Sequence, residues 1–201
     1  MTSNTSLAAD DLGSAAQRDR RKRILDATIA LASEGGFDAV QMRAVADQAD
    51  VALGTLYRYF PSKIHLLVSA LGREFEKAES TLSGRPAPGD TAAERVIFVL
   101  RKTSRGLQGD QHLTEALTRA FMFADKSVSE EIHHVGMLLT RMLTRAMYPE
   151  GNHEVTGEDV KIARVIGDVW LSALVAWVTG RSTSAETAEH METAVRLLLR
   201  D

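Results

Sequence analysis

The chain has 201 residues, of which 44% are hydrophobic and 25% charged, and its formal net charge is −3. A chain of this length forms one large domain or two smaller ones, and the near-neutral charge excludes a polycationic packaging protein. Because the chain contains no cysteine, a disulfide framework and a thiolate zinc site are also excluded.

The charge is distributed unevenly along the chain. Residues 17–65 carry eight Lys/Arg against six Asp/Glu, whereas residues 66–201 carry 16 against 19. A modestly basic region joined to an acidic body is typical of a DNA-binding protein. The longest apolar stretch, residues 162–178, contains Arg164 and Asp168 and is shorter than the ~20 apolar residues of a membrane span. With no secretion signal visible, the sequence predicts a soluble, cytoplasmic protein with no membrane contact.

The amino-terminal segment divides into an expected tail and a first helix. Residues 1–16 are rich in Ser, Thr, Ala and Asp and lack apolar periodicity, so we expect a mobile tail. Helical periodicity begins at Gln17, and Gly35-Gly36 is predicted to end the helix because glycine adopts the left-handed cap. The basic run RDRRKR at residues 18–23 is typical of a solvated helix face, but beside a DNA-binding motif it indicates phosphate contacts.

Two short helical patterns follow, Met42–Gln48 and Leu53–Tyr59, separated by four residues. Helices joined by so short a turn cross steeply, as in a helix-turn-helix. The second helix presents hydroxyl, phenol and guanidinium groups, which can reach phosphates and base edges. The residues predicted to bind DNA are Gln41, Arg43, Leu53, Gly54, Thr55, Tyr57, Arg58, Tyr59 and Lys63.

The rest of the chain is predicted to be helical, without strand alternation or an internal repeat. A helix from Lys63 to about Thr81, capped by Ser62, would be ~28 Å long and would connect the head to the body. Further helix starts are indicated by side chains that can cap: Asp110, Ser127 with Glu130, Thr156 with Asp159, and Thr183 with Glu186. The sequence therefore predicts an all-α fold of about nine helices, with a three-helix DNA-binding head at residues 17–65 and a helical body for ligand binding and dimerisation at residues 66–201.

The predicted helix from Thr156 to Gly180 is unusual because 13 of the 17 residues between positions 162 and 178 are apolar and lie all round it. A helix that is apolar on every side must be covered on every side. One face can cover an internal cavity, and the opposite face, which needs another partner, contains Ile162, Ile166, Val169 and Ala173. The centre of a monomer core would satisfy this need. In an all-helical body of this size we instead expect a homodimer interface shared with the last helix, as a four-helix bundle.

Aromatic and methionine residues of the body are candidates to line a ligand site, because they suit a large, adaptable apolar guest. Each of them could equally be ordinary core. The candidates are Leu71, Phe75, Phe98, Leu117, Phe121, Met122, Met137, Met142, Trp170, Leu174 and Trp177. Residues 95–145 also carry eight Lys/Arg against five acids, and those basic residues could bind coenzyme A phosphates at a pocket mouth.

The run GTLYRYFPSK at residues 54–63 resembles the DNA-binding signature of the TetR family of repressors, and the resemblance is most specific over residues 19–66. Within that family, the runs QRDRRKRILDAT, VQMRAVADQADVALGTLYRYFPSK, LLVSALGREF and ARVIGDVWLSALVAW are similar to a repressor of sterol catabolism in mycolic-acid actinobacteria. The resemblance implies a homodimer on a palindromic DNA operator, released by a small-molecule effector, a sterol-derived acyl-CoA.

The chain departs from the family pattern at two helix caps. Gln41 stands where the family usually has Ser or Thr, and Ala52 stands where it usually has Ser. Losing a capping oxygen costs about 1 kcal/mol, so these departures leave the fold in place, but the family pattern does not predict the phosphate contacts at the two positions.

An enzyme is not indicated. The six histidines are scattered or adjacent, no catalytic or phosphate-loop motif is present, and no ligands converge for a metal site or a resident cofactor. Two alternatives to a sterol-responsive repressor stay open. One is a ligand-independent DNA-binding or architectural protein, and the other is a TetR-type regulator of another lipid or drug pathway.

Overall fold

The computed structural model describes residues 4–151 and 153–200, with side chains from residue 15 onward. These residues form nine α-helices and one short 3-10 helix, and they contain no β-strand. The all-α prediction is therefore confirmed for the described part of the chain. The helices are α1 Asn4–Ala39, α2 Met42–Gln48, α3 Leu53–Tyr59, α4 Lys63–Leu82, α5 Ala92–Gln108, α6 Gln111–Met122, α7 Ser129–Met147, α8 Gly157–Val178 and α9 Ser184–Leu198, with the 3-10 helix at Lys126–Val128 between α6 and α7.

The start of α1 differs from the sequence expectation. The helix begins at Asn4 rather than at Gln17, so residues 4–16 are helical where an irregular tail was expected. Residues 4–16 contain four alanines and two leucines, which favour a helix, but also seven Asn, Thr, Ser, Asp and Gly residues, which do not, so composition alone did not predict this helix. Residues 1–3 lie outside the described residues, and the mobility of the segment stays a prediction. The predicted break at Gly35-Gly36 is present, since Gly36 has a φ of 68°, and helical turns resume through Ala39.

The DNA-binding head is built by α1, α2 and α3 around a small apolar core. Ile24 of α1, Val45 of α2 and Leu56 of α3 are fully buried, and Phe60 closes the core below α3. Neither helix of the motif has a side-chain cap, because Gln41 and Ala52 make no capping hydrogen bond. The two short helices therefore depend on tertiary packing, as helices of this length must.

Capping explains where most helices of the body begin. Ser62 accepts a hydrogen bond from the His65 N–H at the start of α4. The predicted boxes at Thr156 with Asp159 and at Thr183 with Glu186 are both formed. A further box, which the sequence analysis did not single out, lies at the start of α5.

The predicted capping box at Ser127 is wrong. α7 begins at Ser129, and its cap position, Val128, makes no side-chain cap. Ser127 lies in the preceding 3-10 helix, where Asp125 accepts hydrogen bonds from its N–H at 2.8 Å and its hydroxyl at 2.6 Å. The charged carboxylate of Asp125 is a stronger acceptor than an uncharged oxygen. It holds the Ser127 hydroxyl in the 3-10 helix, so this hydroxyl does not cap α7.

The apolar faces of α8 are arranged differently from the expectation. Ile166 and Ala173, assigned to the side that needs an external partner, are buried in the core of this chain. The open side instead carries Val165, which is 44% exposed, with Val169 half-buried one turn on. The helix is apolar all round as predicted, but the open side is rotated relative to the predicted one.

Candidate DNA-binding head and ligand pocket

Helix α3, the second helix of the helix-turn-helix and the one predicted to read DNA, presents an exposed polar face. Tyr57 and Arg58 are exposed, Thr55 and Tyr59 are half-buried, and only Leu56 faces the core. The Arg58 guanidinium donates to the Thr55 hydroxyl at 3.2 Å. The other predicted DNA-binding residues apart from Lys63, which are Gln41, Arg43, Leu53 and Gly54, are likewise exposed, so this face is open to a duplex.

A side chain of α1 supports the turn between α2 and α3. The Arg23 guanidinium donates to the carbonyl of Ala49 at 2.6 Å and to that of Asp50 at 3.3 Å. Asp50 has a φ of 52°, a left-handed conformation that Asp tolerates better than most residues. Arg23 belongs to the basic run for which the sequence indicated phosphate contacts, and the structure directs it into the protein instead.

A second part of the basic run joins the head to α4. The Asp26 carboxylate accepts from Lys22 at 2.9 Å and from Arg73 of α4, and Arg73 also donates to the Lys22 carbonyl at 3.3 Å. Desolvation of Asp26 acts to raise its pKa, but the hydrogen bonds from Arg73 and Lys22 outweigh it and lower the pKa below its usual value. The carboxylate therefore stays charged and connects α1 to α4.

Lys63 lies where the head meets the body. Its ammonium group is 3.9 Å from the centroid of the Phe37 ring, a cation–π distance. Burial lowers the pKa of Lys63, Asp38 and Glu115 act to raise it, and Arg119 acts to lower it. The predicted contact between Lys63 and a DNA phosphate stays a prediction. In addition, the structure shows that Lys63 contacts the Phe37 ring where the head meets the body.

Helix α6 carries the head on one of its faces. Glu115 accepts from the Phe37 N–H at 2.8 Å, and the Arg119 guanidinium lies 4.4 Å from the centre of the Phe37 ring. A Cβ at Gly36 would come within 2.7 Å of a Glu115 oxygen, so both its left-handed φ and this close approach favour glycine there. One turn before Glu115, the ring of His112 donates to the Ser33 carbonyl at 3.3 Å.

The opposite face of α6 lines a partly open apolar cavity of about 480 Å³, which is bordered by α4, α6, α7 and α8 with Leu107 of α5, a size typical of small-molecule sites. Phe75 of α4 and Trp170 of α8 stack there at 5.6 Å between ring centroids, and the Trp170 indole donates to Ser104 at 2.9 Å. The structure thus brings together seven of the eleven predicted ligand residues: Leu71, Phe75, Leu117, Phe121, Met137, Trp170 and Leu174.

Four of the predicted ligand residues lie elsewhere. Phe98 and Met142 line a separate cleft formed by α5, α7 and the α4–α5 connection. Met122 is 53% exposed in the last turn of α6, and because it follows Glu115 by seven residues it lies on the face of α6 that contacts the head, away from the cavity. Trp177 is half-buried near the end of α8 and is not among the residues lining the cavity.

Sequence reasoning missed several polar residues of the cavity. His133 of α7 and two residues of α8, Arg164 and Asp168, lie at its edge, and Thr114 and Thr140 are in its wall. A charged pair inside an otherwise apolar helix was the available signal for the α8 residues. The basic residues of positions 95–145, by contrast, do not line this cavity.

Several of those basic residues have partners of their own. Arg95 donates to the carbonyls of Ala146 at 2.8 Å and Met147 at 3.0 Å, which fixes the end of α7. Arg101 pairs with Glu192 of α9. Among the described residues, no cluster of side chains could coordinate a metal ion, and no helix is long and apolar enough to cross a membrane.

Comparison with known proteins agrees with this geometry. The family model described as bacterial regulatory proteins, tetR family, matches residues 24–70, and the model described as tetracyclin repressor-like, C-terminal domain, matches residues 89–198. The chain therefore belongs to the TetR family of bacterial regulatory proteins. It is a DNA-binding transcriptional repressor, as its similarity to proteins of that name indicates.

The HTH-type transcriptional repressor KstR of Rhodococcus jostii strain RHA1 is 57% identical over 195 residues, which cover 97% of this chain and 90% of the relative. KstR of Mycobacterium tuberculosis strain H37Rv is 54% identical and covers 97% and 87%. A TetR transcriptional regulator from Rhodococcus sp. RHA1 superposes with a TM-score of 0.81 at 31% identity, covering 92% and 97%. FadR of Bacillus subtilis, solved with stearoyl-CoA, has a TM-score of 0.57 at 23% identity, covers 89% and 97%, and shares the fold.

Proposed function

We propose that the chain binds a palindromic operator as a homodimer and that a hydrophobic acyl-CoA, a coenzyme A thioester formed during sterol breakdown, releases it. One observation carries this proposal: α6 lines the apolar cavity on one face and binds the DNA-binding head on the other. A guest in the cavity would therefore contact the same helix that positions the head.

The chemistry of the cavity favours a bulky apolar guest. Its walls combine the stacked Phe75–Trp170 pair with Phe121 and Met137, and burying apolar surface stabilises a complex by about 25 cal/mol per Å². The shared fold with FadR, which was solved with stearoyl-CoA, supports an acyl-CoA. The resemblance of four sequence runs to a sterol-catabolism repressor favours a sterol-derived acyl group over a linear one.

The route from cavity to DNA follows from the two helices that touch both. A guest against Leu117 and Phe121 would press on α6, whose Glu115 and Arg119 contact the Phe37 region of the head. A guest against Phe75 would press on α4, which begins at the head and is joined to α1 through Arg73 and Asp26. Dimeric repressors of this motif need their two DNA-reading helices about 34–36 Å apart, the spacing of successive major grooves. A small tilt of α4 or α6 would change that distance, so the two helices would no longer fit the two grooves.

The test begins by selecting and sequencing the genomic DNA that the protein binds. Release of that operator is then followed by fluorescence anisotropy at constant salt, with a sterol acyl-CoA, a linear fatty acyl-CoA and free coenzyme A. We expect the sterol thioester to act at the lowest concentration and free coenzyme A to have little effect. Preference for the linear thioester would indicate another lipid pathway. No release by any compound would indicate a ligand-independent DNA-binding or architectural protein.

A further inference from the structure

A second cavity, the rear cleft, lies between α5, α7 and the α4–α5 connection and has a volume of about 620 Å³. Its walls contain three of the four prolines of the chain, Pro86, Pro88 and Pro149, so their backbone has little freedom to lose when a ligand binds. The ring of Phe98, which is 37% exposed, lies in the same wall. The cleft therefore offers a rigid apolar surface with one aromatic ring.

The rear cleft is also positively charged. It is lined by Arg85, Lys102 and Arg145 and by one acid, Glu79. The carboxylate of Glu79 is already bound on two sides by Arg141, at 3.1 and 3.3 Å, so its charge is largely neutralised. Among the described residues, Arg85 and Lys102 have no carboxylate within ion-pair distance.

The apolar cavity offers no comparable charge. At its edge, the positive charge of Arg164 is balanced by Asp168, one helical turn further along α8. A ligand group with several phosphates needs an excess of cations around it. Of the two cavities, the rear cleft alone meets that need.

A groove between α4 and α5 lies between the two cavities. It shares Phe75 and Leu107 with the apolar cavity and Leu82 and Lys102 with the rear cleft. Gly106 lies in the groove, and a Cβ built there would meet no atom within 4 Å, so the groove is open at this point. The groove and the apolar cavity meet at Phe75 and Leu107, which are 6% and 9% exposed, so a ligand that extends from the apolar cavity to the rear cleft has to pass between these two side chains.

We infer that the rear cleft binds the phosphoadenosine group of a coenzyme A thioester. The phosphates contact Arg85, Lys102 and Arg145, and the planar base lies against Phe98 and the proline wall. The pantetheine arm follows the groove, and the acyl group occupies the apolar cavity. This inference rests on the proposed function for the identity of the whole ligand, but the binding of the nucleotide group by the cleft stands on its own observations.

The test therefore uses free coenzyme A, whose binding does not depend on release from DNA. Broadening of the ³¹P NMR signals of coenzyme A is measured on adding wild-type protein, the double variant Arg85→Gln with Lys102→Gln, and the control Arg105→Gln. Arg105 is on α5 as well, but it lines a groove toward α9 instead of the rear cleft. We expect the double variant to weaken binding about tenfold or more and the control to behave as wild type.

Equal broadening by wild type and the double variant would overturn the inference, and so would the absence of broadening with wild type. Circular dichroism of each variant establishes that it is folded, and all three exchanged cations are at the surface. A result in which coenzyme A binds in the cleft but no thioester releases DNA would support this inference and contradict the proposed function, so the two failures are distinguishable.

Discussion

Single residues of the basic run at positions 18–23 have different tasks. Arg23 bonds the turn of the helix-turn-helix, and Lys22 takes part in the network with Asp26 and Arg73. Arg21 is exposed, and its guanidinium lies 5.6 Å from the centre of the Phe60 ring. The sequence predicted a basic surface correctly but could not predict which members face inward, because that depends on where the turn at Ala49 lies in space.

Exchanging Arg23 for Gln should weaken DNA binding through the shape of the head. Loss of a hydrogen bond from a charged group to the Ala49 carbonyl costs about 1–2 kcal/mol in the free energy of unfolding. We expect lower operator affinity with an unchanged salt dependence, measured by operator titration at several salt concentrations and by urea unfolding. In the control Arg43→Gln, at an exposed residue that is predicted to bind DNA, we expect the reverse, an unchanged stability and a lower salt slope. A reduced slope for the Arg23 variant would mean that it contacts phosphate.

Exchanging Lys63 for Ala tests the predicted phosphate contact of that residue. A lysine that binds a phosphate releases a counterion, so its removal should weaken binding to all DNA sequences and lower the salt slope by about 1. The control is Lys77→Ala on the same helix, which pairs with Glu74 at 2.6 Å away from the head. If Lys63 contacts only the Phe37 ring and no phosphate, the affinity for DNA will fall while its salt slope stays constant.

Among the helices, α2 and α3, which have no side-chain cap, were predicted from the apolar pattern, whereas the starts of α8 and α9 were predicted from their capping boxes. The bounds of α2 and α3 agree with the sequence pattern, and the boxes of α8 and α9 are confirmed. The box at Ser127 failed because Asp125, two residues before it, accepts hydrogen bonds from its N–H and hydroxyl. The Ser127 carbonyl also accepts from the ring of His65 in α4 at 3.1 Å, a contact with a distant helix that a local pattern cannot predict.

The carboxylate of Asp159 makes the start of α8 sensitive to acid. It is buried and accepts from the Thr156 N–H and hydroxyl at 2.7 Å each and from the His153 ring at 2.8 Å. Desolvation acts to raise the pKa of Asp159, but the hydrogen bonds from His153 and Thr156 outweigh it and lower that pKa. Because the folded-state pKa lies below the unfolded value of about 3.9, the stabilisation is present above that pH and is lost as the pH falls through the folded-state pKa.

Exchanging Asp159 for Asn should therefore lower the thermal midpoint at pH 7, because the charged acceptor of the box is lost. The difference from wild type should shrink below about pH 4, because the carboxylate of the unfolded wild-type chain takes up a proton there before that of the folded chain does. Thermal unfolding followed by circular dichroism between pH 3 and pH 7 measures both effects. The control Asp168→Asn, an exposed position of the same helix, should change little. A difference that stays constant with pH would contradict the assignment.

For the molecule as a whole, the cavity was predicted in part. Its aromatic lining was visible in the sequence, but Phe98 and Met142 belong to the rear cleft because α5 and α7 each present apolar residues to two spaces. Threonines were not predicted in its wall. The Thr114 and Thr140 hydroxyls donate to backbone carbonyls at 2.5 and 2.8 Å, which leaves their methyl groups to serve as apolar wall.

The dimer interface can be tested on the open side of α8. Exchanging Val165 for Asp should leave the fold intact, since that side chain is exposed in the single chain, and should give monomers in sedimentation velocity with loss of specific operator binding. A charged substitution at Val195 of α9 would not test the interface. This side chain is fully buried within the single chain, so a charge there would unfold the protein. The control Val155→Asp, exposed before α8, should remain dimeric. A dimer of the Val165 variant would place the interface elsewhere.

The coupling between effector and DNA must be reciprocal if the cavity and the head are linked through α6 and α4. An acyl-CoA that weakens operator binding by a given factor must itself bind more weakly by the same factor when operator is present, because both factors measure one coupling free energy. Coupling energies of this kind are about 1–3 kcal/mol, or about 5- to 150-fold in affinity. Calorimetric titration of the thioester into free protein and into the protein–operator complex measures this factor directly.

Exchanging Glu115 for Gln weakens the acceptor of the Phe37 N–H, and Glu115 does not line the cavity. This variant should therefore preserve thioester binding to free protein and reduce the coupling factor. Equal affinities for free protein and complex in the wild type would contradict the mechanism, whatever the effector proves to be.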